Sequence, residues 1–208
     1  MSSTEYYADR RELQFVVMEV LQAGKLCSLE AFSEFDEDLF MMTINEACSF
    51  AEQVLGPLNQ SGDREGCRMA DGSVVTPEGF PEAWKQMGGE GWLALNMSPD
   101  YGGMGLPELV SVAAKEVQLA ANQALCIGNT LTTGAANLIL AFGSAEQKDA
   151  YCEKMLNGTW SGTMCLTEPQ AGSSVGDITS TALKQPQGHY LIKGTKQFIT
   201  TGEHNMAE

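Results

Sequence analysis

At Gly158 the spacing of apolar residues changes, and that change constrains the fold more than any other feature of the chain. Before it, apolar side chains recur every three or four residues, the period of one face of a helix. After it they fall in short extended runs rich in Thr, Ile and Leu, which suit a pleated surface. The pattern predicts an α+β protein. Residues 1–9 form a lead-in, residues 10–158 an all-helical domain, and residues 159–208 the first strands of a β domain. The 208 residues could hold one large domain or two small ones, and 43% hydrophobic residues suffice for a core.

In the helical part, a first helix is expected from Arg10 to Gln22, with Leu13, Val16, Val17, Val20 and Leu21 on one face and Gly24 as its stop. A second should run from Glu37 to Leu55, capped by Asp36 and ended by Gly56-Pro57. Residues 59–79 are polar and Gly-rich and read as a long loop containing the turn Asp71-Gly72. Thr76-Pro77 reads as a cap and first turn, followed by a helix through Glu82 to Met87 that Gly88-Gly89-Glu90-Gly91 breaks. Further helices fit Glu108–Ala124 and Asn129–Phe142. Ser144 and Gln147 form a capping box that opens another, ending near Leu156. No stretch reads as long enough to span a bilayer, and Glu5, Asp9, Glu12 and Glu19 argue against a signal or transit peptide.

In the β part, strands are expected at Thr163–Thr167, Thr179–Leu183, His189–Lys193 and Thr195–Thr201, with Gln185-Pro186-Gln187-Gly188 as a hairpin loop. A sheet begun in this way leaves an open edge, and residues 160–208 are expected to be poorly ordered or aggregation-prone by themselves.

Twelve Lys+Arg stand against 27 Asp+Glu, a net charge of -15, which argues against nucleic acid and anionic membranes as partners. The six Cys form no Cys-x-x-Cys pair and there are two His, so no metal site is expected. Free thiols of this kind suit the reduced cytosol, and a cytoplasmic location is expected.

The chemistry concentrates between Ser161 and His204. Pro169 forces Glu168 out of the helical region and removes a backbone donor. Gly172 and Gly176 let the backbone turn closely around a ligand. Thr167, Ser173 and Ser174 add hydroxyls, and the loop's N–H groups can receive an anion such as a phosphate.

The run Thr167-Glu168-Pro169-Gln170-Ala171-Gly172-Ser173 resembles the flavin-binding signature of the acyl-CoA dehydrogenase family. Lys196-Gln197-Phe198-Ile199-Thr200 resembles that family's second flavin segment, in the matching order and separation. Tyr101-Gly102-Gly103-Met104-Gly105 is similar to a further element of the family, and the residues around Tyr7 to Phe15 resemble an extension of its larger members. The resemblance implies an FAD-dependent oxidoreductase acting on an acyl-CoA substrate, with an electron-transfer flavoprotein as electron acceptor and a homo-oligomeric full-length form. It implies that Met164, Leu166 and Thr167 line the flavin ring and that Gly172 and Ser173 meet the cofactor's phosphate and the acyl-CoA. Phe198 stands where the family often has Trp against the ring, Thr200 where a hydroxyl points at a ring nitrogen, and Ser174 where many members carry Asp. Glu168 is structural in that comparison, and His204 is a surface group or a support behind the site. The family's middle domain is a β-barrel-like sheet, and its catalytic Glu lies in or near a following four-helix bundle that these residues do not include. The expectation is therefore a truncated front part, inactive alone and with no catalytic residue assigned. The alternative is a truncated product that serves only as a binding or assembly module. Without the resemblance, Thr167 and Thr200 read as ordinary strand residues, Phe198 as a core aromatic, and Gly172-Ser173 as a turn.

Overall fold

The computed structural model describes residues 6–208. It divides into two units, Met1–Gly162 together with Glu203–Glu208, and Thr163–Gly202. The boundary expected after residue 158 thus falls after Gly162, and the last six residues belong with the helices rather than with the β unit.

The first unit opens with α1 (Arg10–Gln14), whose Asp9 side chain caps the Glu12 N–H at 3.0 Å. It passes directly into a π-helical turn, Phe15–Val20. Arg10 fixes this segment through a two-pronged contact to the Glu52 carboxylate at 2.7 and 2.8 Å, and Ala8 N donates to the same group at 3.0 Å. The Arg10 guanidinium holds the Glu52 carboxyl below its ordinary pKa.

Helix α2 (Glu37–Phe50) starts at Asp36, which accepts from Leu39 N at 2.8 Å, and buries Phe40, Ile44, Ala47 and Cys48. Gly56-Pro57 does not end the helix as expected. After α2 the backbone widens into a π-turn, Ala51–Leu55, and runs on as α3 (Gly56–Glu65). Pro57 has no N–H and its ring crowds the preceding turn. A widened turn absorbs both problems without breaking the axis. Residues 59–79 are accordingly not a long loop. They complete α3 and form a hairpin, β1 (Arg68–Ala70) with β2 (Ser73–Val75), so the first unit is not purely helical. Asp71 and Gly72 make its turn at φ 51° and 84°, the left-handed pair that matches strand twist. Gly62 lies against the Phe80 ring, where a Cβ would come within 2.7 Å.

Helix α4 (Phe80–Gly89) follows Gly79 at φ 84°. Thr76 is not its cap: the Thr76 N–H and hydroxyl both donate to Asn205 Oδ1, at 2.9 and 2.7 Å. Then come α5 (Glu108–Ala121), α6 (Gln123–Phe142) and α7 (Ala145–Leu156). Asn122 joins α5 to α6, accepting from Leu125 N and donating to Leu55 O. Both halves of the Ser144–Gln147 capping box are formed. By length and composition α6 is apolar and long enough to cross a membrane, which corrects the sequence expectation. Its inner face nevertheless carries buried Asn129, Thr132 and Thr133, with Thr133 Oγ1 donating within the helix to Asn129 O at 2.8 Å. Around these elements Phe40, Ile44, Leu55, Trp84, Met87, Val110 and Leu125 form the main core. Ala94, Met97, Ala136, Met155 and Leu156 form a smaller one.

The second unit contains one antiparallel hairpin, β3 (Thr181–Lys184) with β4 (Tyr190–Lys193), in the register Thr181↔Lys193 to Lys184↔Tyr190. Both strands are solvent-exposed along their whole length. The α+β class is as the sequence predicts. Thr163–Thr167 and Thr195–Thr201, however, are not strands.

Candidate cofactor site

The second unit is built around one buried carboxylate. Glu168, Pro169, Gln170 and Ala171 make a tight turn, closed by Glu168 N to Ala171 O at 3.0 Å and Ala171 N to Glu168 O at 3.1 Å. The Glu168 side chain is 1% exposed and accepts from Lys196 Nζ at 2.8 Å, from Ser180 N at 3.0 Å and from Thr179 N at 2.7 Å. Thr179 Oγ1 and Gln170 Nε2 complete the set at 3.0 and 2.7 Å. Lys196 first, then the Ser180 and Thr179 donors, hold this carboxyl far below the ordinary carboxylate range. A polar cleft of about 460 Å³ opens beside it, lined by Gln170, Thr179, Thr181, Lys193 and Thr195.

The two segments that carry the resemblance lie side by side. Thr163 Oγ1 donates to Thr200 O at 2.5 Å, Gln197 N to Thr167 O at 3.0 Å, and Lys196 Nζ to Leu166 O at 2.9 Å. These contacts run antiparallel, yet they do not make a ladder. Phe198 and Thr201 adopt left-handed φ values of 56° and 51°, and a side-chain ammonium occupies the Leu166 carbonyl. That is why neither expected strand forms. Met164 (63% exposed), Leu166 (37%) and half-buried Thr167 lie on the first segment, and Phe198 (84%) and exposed Thr200 on the second. Phe198 is thus not a core aromatic. Gly172 and Ser173 follow the tight turn on exposed backbone; a Cβ at Gly172 would meet nothing within 4 Å. Neither takes part in the hydrogen bonds that join the two segments.

Within the first unit, His204 is half-buried rather than a surface group. Its Nε2 lies 3.1 Å from Ser161 Oγ, its Nδ1 accepts from Met206 N at 3.2 Å, and its ring sits 6.2 Å from that of Trp84. Burial lowers its pKa. Acceptance at Nδ1 leaves the proton on Nε2, donated to Ser161.

Sequence reasoning gave Glu168 a structural part but passed over Lys196, Gln170, Thr179 and Ser180, its partners. No periodicity links a carboxylate to an ammonium 28 residues on. The available signal was chemical: a Glu before Pro in an apolar run needs a cation or several donors if it is buried. Among the described residues no cluster of His, Cys, Asp and Glu could hold a metal ion, and the six cysteines are free.

A mostly helical unit and a unit with one β-hairpin make this an α+β chain. The chain belongs to the acyl-CoA dehydrogenase family: residues 37–159 match the family's N-terminal domain and residues 163–207 its middle domain. It is 39% identical over 203 residues to the 3-methylmercaptopropionyl-CoA dehydrogenase of Ruegeria pomeroyi, which covers 98% of this chain and 34% of that protein. It is 34% identical over 215 residues to a butyryl-CoA dehydrogenase of Syntrophomonas wolfei, covering 100% and 35%. Among solved structures, the acyl-CoA dehydrogenase of Bacillus anthracis complexed with FAD is similar at a TM-score of 0.64 and 26% identity, over 81% of this chain and 27% of that one. The chain spans about a third of the length of the curated relatives it matches.

Proposed function

We propose that these residues are the front part of an FAD-dependent acyl-CoA dehydrogenase, which removes hydrogens from the α and β carbons of an acyl-CoA thioester. One observation carries the reading: Thr163–Thr167 and Lys196–Thr200 run side by side, with Met164, Leu166 and Phe198 open to solvent. Exposed apolar side chains on adjoining segments fit a planar ring that would cover them. When bound, FAD supplies the acceptor for the hydride from the β carbon. The chain's own residues bind and orient. Met164, Leu166 and Phe198 exclude water from the ring, while Thr167 and Thr200 offer donors to its edge. The N–H groups and hydroxyl at Gly172 and Ser173 receive the phosphate of the cofactor and the acyl-CoA. Phe198 in the place of a Trp keeps the apolar wall without an indole N–H.

Glu168 is not the base that takes the α proton, because Lys196, Ser180, Thr179 and Gln170 keep its carboxylate ionised and occupied. We assign that step to none of these residues. By family analogy the acceptor of the electrons is an electron-transfer flavoprotein and the full-length protein is a homo-oligomer. The free cysteines suit the cytoplasm.

The test is a titration of FAD into the purified chain. Flavin fluorescence should quench to saturation at one FAD per chain. Replacing both Thr167 and Thr200 by Val should weaken binding by about tenfold or more, ~1.4 kcal/mol. No saturable quenching, or equal affinity in the double variant, would overturn the proposal.

A further inference from the structure

We infer that Lys196 and Glu168 are a positioning pair: together they lock the two flavin segments in the one register at which Thr167, Phe198 and Thr200 address the same ligand. The inference rests on the flavin reading above and adds the device that sets its geometry. Lys196 Nζ bonds Leu166 O at 2.9 Å and Glu168 Oε1 at 2.8 Å, so one ammonium grips the chain on both sides of Thr167. The residue that follows Lys196 then donates its N–H to Thr167 O. Glu168 carries the lock further, since the same carboxylate holds Thr179, Ser180 and Gln170. The flavin loop, the start of the β3 segment and the second flavin segment thus meet at one buried charge.

Backbone pairing could not do this work here. A strand pair fixes register through a run of ladder bonds and an alternating buried face. These segments have left-handed residues at Phe198 and Thr201 that interrupt the ladder, and no strand is formed. A slip of one residue would carry Phe198 and Thr200 out of line with Thr167. The ion pair forbids the slip, because a displaced Lys196 would leave the Glu168 charge buried and unpaired. Lys196 therefore acts on the cofactor through Thr167 and Phe198.

The experiment compares four single variants of the full chain: Lys196→Met, Lys196→Arg, Glu168→Gln and, as a control on the exposed hairpin, Lys184→Met. Three quantities are read: FAD affinity, the visible absorption band of bound flavin, and amide exchange at Thr179, Ser180 and Gln197. Lys196→Met should weaken FAD by about tenfold or more and shift the visible band, with those amides exchanging about tenfold faster. Lys196→Arg keeps charge and donors and should recover affinity to within about threefold. Lys184→Met should change nothing. Unaltered affinity and band in Lys196→Met would overturn the inference. If the unsubstituted chain binds no FAD, the flavin reading fails, and the lock is judged by exchange alone. Faster exchange in Lys196→Met but not in Lys184→Met upholds it; equal protection overturns it. If Lys196→Met does not fold, Glu168→Gln decides by the same readouts against Lys196→Arg.

Discussion

Thr201 sits at φ 51° and its hydroxyl is buried without a partner, a poor place for a β-branched side chain. The left-handed conformation costs about 1–2 kcal/mol there, and Asn tolerates it better. Thr201→Asn should therefore raise the stability of the second unit by about 1 kcal/mol, seen as a higher urea midpoint at an unchanged slope; a lower midpoint would refute this. His204 gives the first unit its own pH dependence. Its folded pKa lies below the ordinary ~6.5 because burial opposes the charge, so the unfolded chain binds more protons as pH falls. The contribution is complete above about pH 6.5 and is lost as pH drops through the folded value. Glu168 is depressed far below the ordinary ~4.3, so its contribution is complete above that pH and erodes only below it. On acidification from neutrality, weakening due to His204 should begin near pH 6.5 in the first unit, and His204→Gln should flatten it. A slope unchanged by that substitution would show that the histidine is not its source. Neither effect could be read from residue type alone, because burial and hydrogen-bond partners set both.

Helix α4 and the turn after α7 meet where glycine alone fits. A Cβ on Gly88 would collide with the Asn157 carbonyl oxygen and lie 3.0 Å from Gly158 Cα, both backbone groups that cannot swing aside. Next to this contact Trp84 Nε1 donates to Gly158 O at 2.8 Å. Gly88→Ala should cost about 1–3 kcal/mol in chemical denaturation. Gly89→Ala, where a Cβ meets nothing within 4 Å, should leave stability unchanged or raise it by up to about 1 kcal/mol. Equal effects at the two positions would mean that the close approach is not the cause. Sequence located this helix and its glycine-rich end but could not tell Gly88 from Gly89. It also misplaced the end of α2: Gly-Pro is a sound stop signal, and only the widened turn Ala51–Leu55 let the helix continue. The turn at Asp71-Gly72 was legible because its left-handed geometry is a local preference. The strands on either side, three residues each, are too short to carry a periodicity.

For the molecule as a whole, the helical unit holds the buried core, while the β3–β4 hairpin is exposed on both strands. A two-stranded hairpin is at best marginal in water. Trypsin should therefore cut after Lys184 and Lys193 before it cuts after half-buried Lys115, as mass spectrometry of a time course would show. Earlier cleavage at Lys115 would reverse that order of stability. The sequence by itself determined most of the helices, the capping box and the turns at Asp71-Gly72 and Gln185–Gly188. Those follow from backbone preferences and apolar spacing within a few residues. Tertiary structure decided that Thr163–Thr167 and Lys196–Thr200 touch without forming strands, that α2 runs through a proline, and that His204 is half-buried. It also decided that Glu168 finds Lys196. Each of these depends on groups far apart in the chain, whose burial and charge are fixed only once the chain has folded.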